Sequence, residues 1–233
     1  MSNQDSSPLA RRSFLSRVGL GVTAFGVTLG SSVGNAQSSG GRWQPSRHAQ
    51  DDWLDQVPGQ HRFVFDTTTL VGFGGALLYA TNYFLANQNA YSLGSAELAV
   101  VIVMRHNSTP FAYNDAMWAK YGAVLAQRSN VTDPQTQQAP KVNIFNSSTI
   151  VAGLASQGNT LDSLIKKGVH LAVCQMATRR LAVGIAQATG GTADGVYNEL
   201  VANLVGNSHI VPAGIVAVNR AQERGYSFAN VGV

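Results

Sequence analysis

The chain alternates short apolar runs with longer segments in which apolar residues recur at helical spacing. The short runs predict strands at residues 62–66, 98–104, 141–145, 169–174 and 226–231. The longer segments predict helices at residues 76–87, 114–127, 161–167, 176–188, 193–204 and 213–224. Strands that alternate with helices in this way predict an α/β fold, a three-layer open and mainly parallel sheet with helices on both faces.

Two details of the pattern refine this prediction. The run at 98–104 holds no polar residue, which is typical of a parallel strand covered on both faces. Gly72, Gly74 and Gly75 predict a turn between the first strand and the first helix. They resemble part of a dinucleotide-binding loop, but Leu77 stands where the full motif needs its third glycine, so the nucleotide interpretation is weak.

The beginning of the chain has the features of a twin-arginine export signal. In residues 1–36, the pair Arg11 and Arg12 precedes a weakly apolar stretch that ends in small residues. Proteins with this signal fold before export, so we expect a periplasmic protein with no membrane span after processing. Residues 37–60 are rich in Ser, Gly, Gln and Pro and are predicted to be a flexible arm or linker. Residues 61–233 then form one α/β domain.

Removal of the signal changes the charge of the protein. The full chain carries 16 basic and 12 acidic residues, a net charge of +4. Export removes three arginines and one aspartate, which leaves 13 basic and 11 acidic residues and a net charge of +2. A sparse basic excess without runs of Lys or Arg argues against a nucleic-acid partner.

Three chemically capable residues lie at the carboxyl ends of predicted strands: Asp66 and Cys174 end their strands, and His106 lies just after another. Ligands and reactive groups of open parallel sheets lie at the carboxyl ends of the strands. Cys174 is the single cysteine and begins a helix, whose dipole favours a thiolate, and Arg179 and Arg180 would add positive charge. Such a thiolate can accept sulfane sulfur as a persulfide or form a mixed disulfide. Alternatively, Cys174 is the last core residue of its strand, because free cysteine is among the most buried residue types.

His106 has three interpretations. Its imidazole could orient or deprotonate a thiol, bind a metal, or serve only as a structural residue of a turn. With Cys174, Met104 and Met176 it would form a soft, copper-type ligand set, which is weakly supported because nothing in the sequence fixes the spacing. His170 shares a strand face with Cys174 but lies about 13 Å along the strand from it, which argues against a shared ion.

Two motifs in the second half of the chain carry a family resemblance. They are the step Lys167-Gly168-Val169-x-x-x-x-Cys174 and the ending Gln222-x-x-Gly225-Tyr226. Over roughly residues 61–231 the chain resembles the DsrE/DsrF-like sulfur-relay family. The resemblance implies a mainly parallel five-stranded sheet in a homo- or hetero-oligomer. It also implies that the cysteine at the position of Cys174 accepts or passes persulfide sulfur, whereas the role of His106 is inferred from its place after a strand.

The sequence therefore predicts an exported protein of sulfur trafficking or oxidation, a sulfurtransferase or sulfur carrier if it is catalytic. Cys174 is the expected persulfide site, with His106 beside it. The expected partners are a sulfur donor or acceptor protein, a small sulfur compound and further copies of the chain, and no cofactor is expected. The alternative is a non-catalytic oligomeric binding module, which holds a small ligand or a metal in a pocket at the strand ends.

Overall fold

The computed structural model describes residues 44–147 and 154–232. The predicted export signal lies outside the described residues, and so does the first part of the predicted arm. Both stay predictions from the sequence. The fold described below is that of the compact unit that begins at Pro45.

The molecule is built on one parallel sheet. Its strands are β1 (His61–Thr67), β2 (Leu98–Met104), β3 (His170–Cys174), β4 (Ser208–Val211) and β5 (Ser227–Asn230). They lie side by side in the order β4-β3-β2-β1-β5, and every neighbouring pair is parallel. The α/β fold with five strands, as predicted, is confirmed.

Helices cover both faces of the sheet. They are α1 (Trp53–Gln56), α2 (Leu70–Tyr91), α3 (Asp115–Ser129), α4 (Leu161–Lys166), α5 (Gln175–Thr189), α6 (Ala193–Ala202) and α7 (Gly214–Gln222). On one face, Ile102 and Met104 of β2 belong to a large core shared with α2 to α6. On the other face, Val101 and Val103 belong to a small core shared with α1 and α7. All seven residues of β2 are buried, which explains its uninterrupted apolar run.

The predicted glycine turn is wrong, because Gly72, Gly74 and Gly75 lie inside α2. The glycines serve close packing instead. A Cβ atom on Gly72 would lie 2.0 Å from the backbone oxygen of Val231, so only glycine lets the start of α2 approach the segment after β5. Thr69 is the N-cap residue of α2, and its side-chain oxygen accepts a hydrogen bond from the backbone N–H of Gly72.

The strand predicted at residues 141–145 is also wrong. A single 3₁₀ turn, Ile144–Asn146, stands there, because Asn143 uses its side chain to hold the backbone. Its Nδ2 donates to the carbonyl oxygens of Phe111 and Tyr113 at 2.8 and 3.1 Å, and its Oδ1 accepts from the N–H of Phe145. The remaining strand of the sheet is β4, a half-buried edge strand that the apolar pattern did not predict.

The described end of the predicted arm packs against the small core. Leu54 and Val57 are buried there. The carbonyl oxygen of Leu54 accepts hydrogen bonds from the Tyr226 hydroxyl at 2.7 Å and from Arg62 Nη1 at 3.1 Å. Within the part of the chain that the structure describes, no helix combines the length and apolar character that a membrane crossing requires.

Candidate functional site

A cavity of about 160 Å³ lies where β2 and β3 end and where α5 and α7 begin. Its volume is roughly ten times what one water molecule needs. Cys174 and His106 both line it, so the structure brings the two sequence-predicted site residues into one cavity. Its location agrees with the general rule that ligands of open parallel sheets bind at the carboxyl ends of the strands.

Cys174 ends β3 and stands at the N-cap position of α5. The residue is buried, with 7% of its surface exposed, and it is one of the residues that line the cavity. Its side chain makes no capping hydrogen bond to the first N–H groups of α5. Cys174 therefore lies at a helix N-terminus, where the dipole favours negative charge, and it borders the cavity as well as the core.

A buried hydroxyl chain fixes the backbone that carries this thiol. Thr178 Oγ1 donates to the carbonyl oxygen of Cys174 at 3.0 Å, and the hydroxyl of Tyr113 lies 3.0 Å from Thr178 Oγ1 and donates to it. Burial raises the pKa of Tyr113, so its hydroxyl stays protonated and keeps donating. The first turn of α5 is thus held in place from the large-core side.

Asp66 contributes to the site through Arg105. The guanidinium of Arg105 donates two hydrogen bonds to the carboxylate, Nε to Oδ1 at 2.8 Å and Nη2 to Oδ2 at 2.7 Å. Asp66 is 1% exposed and also accepts from Asn230 Nδ2 at 3.3 Å. The hydrogen bond to Asp66 raises the pKa of Arg105, so a permanent positive charge lines the cavity beside Cys174.

His106 lies at the exposed rim of the cavity, directly after Arg105. Its backbone has φ 54°, in the left-handed region that non-glycine residues seldom occupy. Ser108 holds this corner, because its Oγ donates to the carbonyl oxygen of Thr67 at 3.0 Å and accepts from the N–H of Arg105 at 3.1 Å. Such conformations persist where the surroundings impose them, and they cluster at functional sites.

The two arginines after Cys174 have different positions. Arg180 lines the cavity, together with Arg128 of α3. Arg179 points elsewhere, with its guanidinium 4.1 Å from the ring centre of Tyr197 and 3.6 Å from a carboxylate oxygen of Asp194. Within residues 44–147 and 154–232, neither Arg128 nor Arg180 forms an ion pair. Both also line a neighbouring cleft of about 420 Å³.

The start of α7 forms the opposite wall through Ala213, Gly214 and Ile215. A Cβ atom on Gly214 would lie 2.8 Å from both Cβ and Cδ of Arg105, so glycine allows this helix to pack directly on the arginine. The sequence pattern predicts the helix that begins here, but it did not assign Arg105, Arg128 or the first residues of this helix to the site. Only Arg105 carries a usable signal, since it follows β2 directly.

The copper-type ligand set does not form. Met104 is fully buried in the large core, and Ala172 belongs to the small core on the other face of the sheet. Because side chains alternate along a strand, Cys174 shares the face of Ala172 and not that of Met104. Met176 does line the cavity, with 67% of its surface exposed. Among the described residues, no group of three or more His, Cys, Asp or Glu side chains is arranged to hold a metal ion.

A pair of histidines lies near the amino end of β3, away from the cavity. His170 Nδ1 and His209 Nε2 are 2.9 Å apart, and the indole of Trp53 stacks on His209 with ring centres 4.0 Å apart. Burial lowers the pKa of His170. Burial, and to a smaller extent the charge of His170, lowers the pKa of His209 to about 4. Sequence analysis assigned no role to His209, because β4 was not predicted.

Comparisons with known proteins give no family assignment. No family model matches the chain, and no curated protein matches it. A solved structure of a protein of unknown function from Methanobacterium thermoautotrophicum is similar to it, with 13% sequence identity and a TM-score of 0.36. The match covers 73% of this chain and 99% of that chain. A likeness of this size supports no inference about activity.

Proposed function

We propose that the protein is a carrier of sulfane sulfur, or a sulfurtransferase, in which the sulfur of Cys174 holds a persulfide. One observation carries the proposal: the single cysteine of the chain lines a cavity at a helix N-terminus, and arginines line the same cavity. Thiolates and persulfide anions are stabilised by such surroundings. The resemblance to the DsrE/DsrF-like family, which rests on the motif that contains Cys174, supports the same role.

The chemistry needs no external oxidant or reductant. The Cys174 thiolate attacks the sulfane sulfur of a donor and forms a new S–S bond, while the old bond to that sulfur breaks and its electron pair leaves with the donor. An acceptor thiolate then attacks the outer sulfur of the persulfide in the same way, which regenerates the Cys174 thiolate. In this proposal the imidazole of His106 takes up the thiol proton before the first attack.

The proposal is tested by the intact mass of the protein after incubation with inorganic polysulfide. The chain has one cysteine, so a gain of one sulfur atom reports on Cys174 without further mapping. We expect the gain in the unaltered protein, its reversal by a reducing thiol, and no gain in a Cys174→Ser variant. An unaltered mass, under conditions in which a small control thiol is converted, would contradict the proposed function.

A second candidate function is a binding module that does no sulfur chemistry. It is favoured by Arg128 and Arg180, whose charges line both the cavity and the adjoining cleft and would attract an anion without any help from a thiol. The two functions differ in their need for Cys174. Full function of a Cys174→Ser variant in the cell would favour the binding module.

A further inference from the structure

We propose that the cavity beside Cys174 binds the oxyanion group of a sulfane-sulfur donor of the thiosulfate class. The inference rests on the proposed persulfide role of Cys174 and names the kind of donor that loads it. Three features of the cavity carry the argument: its charge, the backbone N–H groups that open onto it, and the sulfur without a partner.

The charge of the cavity is positive. Arg105, Arg128 and Arg180 line it, and no acidic residue of the described chain does. Asp66 is paired with Arg105 but lies outside the lining, so it fixes the guanidinium without contributing to the cavity wall. Arg128 and Arg180 have no carboxylate partner among the described residues. An anion in the cavity would give these two side chains the ion pairs that they otherwise lack.

Two helix N-termini that lack a side-chain cap open onto the same space. The N-cap residues of α5 and α7 are Cys174 and Ala213, and neither side chain accepts a hydrogen bond from the helix. Four other helices are capped by the side-chain oxygens of Thr69, Asn114, Thr160 and Thr192. The first N–H groups of α5 and α7 are therefore available to the oxygens of an anion, which the helix dipoles also attract.

The sulfur of Cys174 is the group that identifies the anion. The residue is 7% exposed and lines the cavity, and within residues 44–147 and 154–232 its side chain has no hydrogen-bond partner. A sulfate or phosphate ion would contact the arginines but would not react with the thiol. A donor that joins a sulfane sulfur to an oxyanion group uses both, because the arginines hold the oxygens while the sulfane sulfur faces the thiol.

Thiosulfate gives a balanced reaction in this arrangement. The Cys174 thiolate forms a bond to the outer sulfur of thiosulfate, and the bond between that sulfur and the SO₃ group breaks. The electron pair of the broken bond leaves with the SO₃ group as sulfite. The products are the Cys174 persulfide anion and one sulfite ion, with no electron added or removed. The arginines stabilise the negative charge that develops on the leaving sulfite.

The test compares two donors and two neighbouring arginines in the full chain. Rates of sulfur gain on Cys174 are measured by intact mass with thiosulfate and with inorganic polysulfide, which has no oxyanion group, and released sulfite is quantified. The variants are Arg180→Ala and, as a matched control, Arg179→Ala, whose side chain points away from the cavity. Both side chains are exposed, so we expect both variants to fold.

We expect one sulfite for each sulfur gained from thiosulfate. Arg180→Ala should slow loading from thiosulfate at least about tenfold, the loss of one charge-assisted contact, and slow loading from polysulfide much less. Arg179→Ala should leave both rates unaltered. Loading by polysulfide but not by thiosulfate would overturn this inference and leave the proposed function standing. So would equal slowing of both donors, or no slowing at all in Arg180→Ala. No loading by either donor would overturn both.

Discussion

His106 and Cys174 reach one cavity from the ends of neighbouring strands, and the backbone of His106 explains why its replacement must be chosen with care. With φ 54°, the position tolerates asparagine better than most side chains, because asparagine enters the left-handed region readily. Ser108 anchors the corner independently of the imidazole. A His106→Asn variant therefore removes the proton acceptor and preserves the backbone.

We predict that His106→Asn slows sulfur loading of Cys174 at least about tenfold, because a positioned general base contributes this much or more. Added imidazole should restore part of the rate, since it can take up the proton from the open rim of the cavity. The measurement is the rate of sulfur gain with polysulfide, with and without imidazole. An unaltered rate in the variant would exclude His106 from proton transfer.

At the level of helices and strands, the start of α7 packs directly on Arg105, so a methyl group added at Gly214 should change both stability and the position of the arginine. We predict that Gly214→Ala destabilises the protein by about 1–3 kcal/mol, because the new Cβ overlaps Arg105. It should also weaken thiosulfate loading by moving the guanidinium. Denaturant unfolding measures the first effect, and loading kinetics measure the second.

The control for this substitution is Gly184→Ala in α5. A Cβ atom there meets Val124 at an ordinary 3.9 Å, so alanine should stabilise the helix by up to about 1 kcal/mol. Opposite signs for the two glycines are expected. Destabilisation of similar size at both positions would contradict the packing argument for Gly214.

Elements with a strong apolar signature were predictable, and elements defined by side-chain hydrogen bonds were not. The uninterrupted apolar run of β2 predicts a strand buried on both faces, and the structure has one there. The run at 141–145 is shorter and contains Lys141 and Asn143, and the hydrogen bonds of Asn143 hold it as a 3₁₀ segment. The edge strand β4 contains Ser208 and His209, is half-buried, and so carries no apolar pattern.

The candidate site was predictable to the same extent. The strand-end rule locates Cys174 and His106, since it depends only on topology. Arg128 belongs to a helix distant in sequence, and its position in the cavity depends on the packing of α3 against α5. Arg179 and Arg180 are equivalent in sequence, and only the helix orientation decides which of them lines the cavity.

At the scale of the whole molecule, the pair of histidines links stability to pH. Trp53, His170 and His209 stack together and connect α1 to the sheet edge. Both histidines have lowered pKa values in the folded state, about 4 for His209, whereas unfolded histidines titrate near 6.5. Between these values the unfolded chain binds more protons, so the free energy of unfolding should fall as the pH falls from about 6.5 to about 4.

Denaturant unfolding at a series of pH values measures this dependence. A His209→Gln variant should show a shallower fall in stability over the same range, because it removes the group with the lowered pKa. His48→Gln serves as the control, since His48 is exposed and lies outside the stack, and it should retain the full pH dependence. The same slope in His209→Gln as in the unaltered protein would contradict this account of the histidine pair.

If Cys174 carries sulfane sulfur reversibly, the protein should pass through a complete loading and unloading cycle, which intact mass can follow. After loading with polysulfide and removal of the donor, cyanide should take the outer sulfur as thiocyanate and return the protein to its original mass. We expect one thiocyanate for each protein molecule loaded and none from Cys174→Ser. A protein that never gains the sulfur, or gains it without releasing it to cyanide, would contradict the account.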